Sequence, residues 1–316
     1  MRILILVAIL FAQIAVSNIC GARADTASDL ADCRRAVNRG DNRQAVALCT
    51  RLLDSGDLTD EDRVAALVAR ATAHRNTLRY DDAIVDCEAG LAISAADFDL
   101  HFVCGNSYAG KGNYDLAIRH VEAALALNPD SAHALNSRGN LYNQQGKFDA
   151  ALADFDAALR INPNFNWALL NRGIVLYNMG RFADAVDALK RANAVDRGNP
   201  YPVLWLALAE RRVGGQSGID IAIAAGQIDL DRWPGPIVRF YRDRALMFPK
   251  AEGENAEGLS LEPSRGEDCE SEFYYGAWAL IGSDKEAARR KLQHAAEICP
   301  GTWIERAGAL AELKRM

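Results

Sequence analysis

The amino-acid sequence predicts an all-α solenoid of helix-turn-helix hairpins with an irregular helical C-terminal extension. Two observations carry this. A 34-residue unit occurs three times without a gap between Phe98 and Asn199: Gly105, Gly139 and Gly173 are 34 apart, as are Gly112, Gly146 and Gly180, Ala117, Ala151 and Ala185, and Ala124, Ala158 and Ala192. Each unit also reads as two amphipathic halves, Phe98 to Lys111 and Tyr114 to Leu127 in the first copy, split by a glycine that can take the turn. A period of this length marks stacked supersecondary units.

Taken in order, residues 1–24 read as a secretory signal: Arg2, an apolar run from Ile3 to Val16, and Ala22-Arg23-Ala24 as a cleavage site. The run is short for a membrane span, so no span is expected after cleavage. The alternative is a lipoprotein signal ending at Cys20, but Ile19 stands where such signals take a small residue. Residues 25–199 form the repeat array. Gly40 and Ala45 fit a first unit, followed by an insertion around Asp54-Ser55-Gly56-Asp57. Val64 to Asp97 is a second unit, with Ala71, Ala83 and Tyr80 in register and Leu78 in place of the turn glycine. Small residues recur where helices touch, and the aromatics Tyr114, Phe148 and Phe182 share a position suited to plugging the gap between units. Pro129 and Pro163 follow the second helices, where a missing N–H ends them.

Residues 200–316 are the C-terminal helical region. Pro200 to Val213 reads as a first helix, Gly214-Gly215 as its turn and Ile219 to Ala225 as a short partner. Trp233-Pro234-Gly235-Pro236 opens a helix through Ile237, Val238, Phe240 and Tyr241, and Ala251 to Asp268, rich in Gly and Glu, reads as a loop. The unit returns at Cys269, with Gly276, Ala288, Ala295 and Pro300 in register. Thr302 to Met316 is a closing amphipathic helix that covers the last apolar face.

The repeated Gly, Ala, Pro and aromatic positions resemble the tetratricopeptide repeat (TPR) family, which implies a right-handed superhelical stack. Leu204-Trp205-Leu206, Trp233 through Tyr241, Phe273-Tyr274-Tyr275-Gly276 and Glu305 to Leu313 further resemble bacterial NlpI-like periplasmic adaptor proteins. That resemblance implies a non-enzymatic, soluble periplasmic scaffold, often a homodimer, that brings cell-wall hydrolases to an envelope protease. The alternative function is a periplasmic chaperone or receptor for exported peptides or a small ligand. In the TPR family, positions 2, 5, 9, 12 and 13 of each unit face a concave groove. Here they give Phe102 and Asn106; His133, Asn136, Asn140, Asn143 and Gln144; Trp167, Leu170, Ile174 and Asn178; and Tyr201 and Leu204. Such a groove changes from amide-rich to apolar along its length. Phe102, Asn136 and Leu170 stand where the family's carboxylate clamp needs Lys, so a C-terminal carboxylate is not the expected ligand.

Six cysteines remain after Cys20, an even number in an exported chain. The repeat register favours Cys33–Cys49, Cys87–Cys104 and Cys269–Cys299; the bland reading is six buried thiols. No C-x-x-C or Cys/His cluster has ligand spacing, so neither metal nor cofactor is expected. Cleavage would remove Arg2 and Arg23 and no acid, taking the formal net charge from −6 to −8. Without a basic patch, nucleic acid is excluded as a partner.

Other candidate chemistry is weak. Ser107, in Gly105-Asn106-Ser107-Tyr108-Ala109, lies inside a repeat helix rather than on a nucleophile elbow, and Gly110-Lys111-Gly112 lacks the rest of a phosphate loop. Glu270-Ser271 echoes the acid of wall-cleaving enzymes, but Tyr274 to Ala279 continue a repeat helix. His74, His101, His120, His133 and His294 are expected to be scattered without a shared partner.

Overall fold

The computed structural model describes residues 26–55 and 58–214, scattered positions between 228 and 241, and residues 265–281, 284–300 and 304–316. Among them the fold is an all-α helical repeat, divided into two compact units, Met1–Pro129 and Asp130–Met316.

The first unit holds three hairpins: α1 (26–38) with α2 (Asn42–Asp54), α3 (Asp60–Asn76) with α4 (Tyr80–Ile93), and α5 (Phe98–Gly110) with α6 (Tyr114–Leu127). Side chains start these helices where the sequence offers short polar residues. Asp41, Thr59, Asp97 and Asn113 each accept a bond from a first-turn backbone N–H. The hairpin turns need a left-handed residue, which Gly40 and Gly112 supply at φ 78° and 77°. Leu78 fills the same slot at φ 61° without being glycine. Within the hairpins the small positions are sterically required: a Cβ on Gly105 would stand 2.7 Å from Val121 Cγ2 and 3.2 Å from the Ala117 carbonyl oxygen.

The second unit repeats this pattern in α7 (Ala132–Gln144) with α8 (Phe148–Ile161), α9 (Asn166–Asn178) with α10 (Phe182–Val195), and α11 (Pro200–Arg212). Phe148 plugs the gap as expected, packing on a cluster of Ala151, Phe155 and Val175. A last hairpin joins α12 (Arg265–Ile281) to α13 (Lys285–Ile298), and α14 (Ile304–Arg315) closes the chain. Helix α12 begins inside the segment read as a loop, because its first turn precedes the cysteine that marks the register. The expected helix 219–225, the rest of that loop and the leader lie outside the described residues. Ile237, Val238 and Tyr241 are buried in this unit's core with Trp205, Phe273 and Tyr274.

Covalent and ionic staples fix the hairpins. The structure pairs Cys33 with Cys49, Cys87 with Cys104 and Cys269 with Cys299, the set the register favours. Two bidentate pairs cross from first to second helix, Arg70 to Asp86 at 2.9 and 2.7 Å and Arg138 to Asp154 at 2.8 and 2.7 Å.

Candidate functional site

The first unit carries an open pocket of about 570 Å³. Helix α1 contributes Arg34, Val37 and Asn38. Helix α3 contributes Asp60, Glu61, Val64, Ala65, Val68, Ala69 and Thr72, and Ile93, Ser94, Asp97 and Asp99 complete it from the end of α4 and the start of α5. The floor is aliphatic and the rim acidic. The local sequence sets this up: the Thr59 cap places Asp60 and Glu61 in the first turn of α3, and Asp97 caps α5 with its oxygen 2.9 Å from the Leu100 nitrogen. Desolvation and then the charge of Asp97 push the Asp99 carboxyl above its ordinary range, while Arg34 opposes both.

The groove residues expected in this unit lie elsewhere. Phe102 stacks on Phe98 at 5.8 Å, and Asn106 donates to the Phe102 carbonyl at 2.9 Å within its own helix. The pocket instead uses Ala65, Val68 and Thr72, which are positions 2, 5 and 9 of the Val64–Asp97 unit. Arg34, Val37 and Asn38 take the matching late positions of the first unit. Carrying the groove register two units further back would have found both sets.

In the second unit the corresponding face is largely covered. Leu170, Ile174 and Leu204 are fully or almost fully buried in one apolar cluster with Phe273, Tyr274 and Ala309, residues of α12 and α14. They are core rather than open groove because the closing helix does more than cover the last hairpin. It also packs against α7 and α9. Glu312, completely buried, accepts from Tyr177 Oη and pairs with Arg212 at 2.6 Å, while Arg315 donates to the carbonyls of Tyr177 and Asn178. Two of the predicted amides pair with each other, Asn178 donating to Asn143 at 3.4 Å, while Asn136 accepts at 3.0 Å from Asn171, a residue outside the predicted set. Asn140 and Gln144 are half-buried, and Asn140 Oδ1 has no donor. His133 and Trp167 remain exposed, Trp167 at 52%. Tyr201 is half-buried and donates to Glu270 at 3.1 Å.

The histidines are not all solitary, contrary to the expectation from their scatter. His101 and His120 face each other with Nδ1 atoms 3.1 Å apart, because adjacent hairpin helices bring positions 19 residues apart together. His74 lies 3.8 Å from Asp86, and His294 lies 3.7 Å from Glu272. Ser107 is buried and donates to the Val103 carbonyl of its own helix, and Glu270 is buried in the core.

Two sequence profiles of the family described as tetratricopeptide repeat match the chain, at residues 105–164 and 142–209. No curated protein matches it. Similar solved structures include a crystal structure of the MamA protein, with 20% identity over 54% of this chain and 91% of that one and a TM-score of 0.45. Another is YrrB, titled a TPR protein with an unusual peptide-binding site, with 18% identity, 60% and 95% coverage and a TM-score of 0.45. At those scores the structural likenesses carry no functional argument; the repeat profiles identify the unit.

Proposed function

From a chain built of tetratricopeptide repeats, we propose a non-catalytic protein-interaction scaffold that takes its partner at the pocket of the first unit. One observation carries the reading: this unit holds an open cavity of about 570 Å³, large enough for several side chains and lined by aliphatic groups together with charges that could orient a partner. Three disulfides among the described residues fit a chain that works outside the reducing cytosol, and no described helix is long and apolar enough to cross a membrane. The finer reading is a periplasmic adaptor for an envelope protease or a cell-wall hydrolase, resting on the resemblance of the C-terminal segments. The pocket's size also suits a chaperone or receptor that takes short exported peptides.

In-cell photocrosslinking tests this. A photoreactive residue at Val68, in the pocket, is expected to capture a specific protein, whereas one at Val85, 67% exposed on α4, is not. Equal capture from both positions, or none from a folded protein, contradicts the reading. A folded protease or hydrolase at Val68 supports the adaptor, and many unfolded chains support the chaperone.

A further inference from the structure

The pocket of the first unit has a charge imbalance that its own fold offsets only in part. Asp60, Glu61, Asp97 and Asp99 stand around it against a single cation, Arg34. Asp97 serves the α5 cap, and acids in the first turns of α3 and α5 suit the helix dipoles. Among the described residues Asp32, Asp81, Asp82 and Asp86 form ion pairs in this unit, whereas no cation lies within ion-pair distance of Asp60, Glu61, Asp97 or Asp99, and Arg34 acts on Asp99 from farther away. Between the rim carboxylates lies an aliphatic floor that includes Val64, Val68 and Ile93, the last 38% exposed. A net negative rim over an apolar floor repels acidic segments and complements the reverse charge.

We propose that this pocket receives an extended partner segment in which a lysine or arginine lies beside an aliphatic side chain, the cation meeting Glu61 and Asp99 and the aliphatic group lying on Val64 and Val68. This deepens the scaffold reading, on which it rests, by naming the partner's chemistry. The net negative charge of the rim gives such a contact its selectivity, and salt weakens it by screening.

The test uses the full oxidised chain and a fluorescein-labelled, terminally blocked peptide with two lysine-leucine pairs between glycines. Its control has glutamate for lysine. The lysine peptide is expected to bind, with affinity falling about tenfold between low salt and about 0.5 M salt. Joint substitution of Glu61→Gln and Asp99→Asn should weaken it at least about fivefold. The thermal midpoint should change little, since relief of like charges offsets the lost interaction with the helix dipoles. Equal binding of the glutamate peptide, or no effect of the double substitution, overturns the proposal. If neither peptide binds while Val68 still crosslinks its partner, the cation preference is wrong and the scaffold stands. If the crosslink is also empty, both fail.

Discussion

Leu78 shows what the repeat demands of a single residue. It occupies the slot held by Gly112, Gly146 and Gly180, sits at φ 61° and exposes 71% of its surface. A left-handed leucine costs roughly 1–2 kcal/mol and packs nothing here, whereas glycine gives back part of that gain as unfolded-state entropy. Leu78→Gly is therefore expected to raise stability by about 0.5–1 kcal/mol in urea unfolding; a lower midpoint would contradict this account of the turn. Ion pairs separate by burial in the same way. Asp154→Ala leaves Arg138 without its partner in a site where the acid is 8% exposed, and should cost about 2–4 kcal/mol. Asp156→Ala breaks a single 2.7 Å contact from Arg172 Nε to an acid that is 48% exposed, and should cost less than about 1 kcal/mol. Equal losses would show that burial does not set the difference. The turn glycines and cysteines were legible in the sequence because the period repeats them. The Arg–Asp pairs were not, because Cys104 takes the intervening arginine slot and hides the recurrence.

Helices and hairpins are held at longer range. The Cys87–Cys104 bond closes a loop of sequence separation 17, and replacing both cysteines with alanine should lower stability by about 2–4 kcal/mol. An unchanged melting midpoint in oxidised protein would remove the disulfide from the account. The first turn of α14 carries a pH dependence. Burial, with the neighbouring Glu270 carboxylate, raises the Glu305 carboxyl from 4.5 to about 8, and Tyr274 lies in hydrogen-bond contact with it. A proton held more tightly in the folded state stabilises fully below pH 4.5, and that contribution is lost as pH rises to about 8. Glu305→Gln should therefore flatten the decline in stability between those limits, read as thermal midpoints across the range. A parallel decline in both proteins would contradict it. Helix α14 itself was legible from its amphipathic pattern and its need to close the stack. Its hold on α9 was not, because Tyr177 and Glu312 meet across a separation of 135, and a repeat register says which face a residue takes but not what covers it.

Across the whole molecule, one register serves two ends. Position 9 of the repeat is Thr72 in the pocket of the first unit and Ile174 at 0% exposure in the core of the second. The fold class was legible because every unit solves the same packing problem with the same small residues. The site was legible only as a set of positions, since filling those positions depends on an extension outside the repeat. The most direct test labels introduced cysteines in the folded, oxidised protein with a maleimide. Thr72→Cys is expected to react rapidly. Ile174→Cys should react only at the rate at which the second unit opens, slowing further in stabilising osmolyte. Rapid and equal labelling of both would contradict the claim that the first unit presents an open binding face while α12 and α14 close the second.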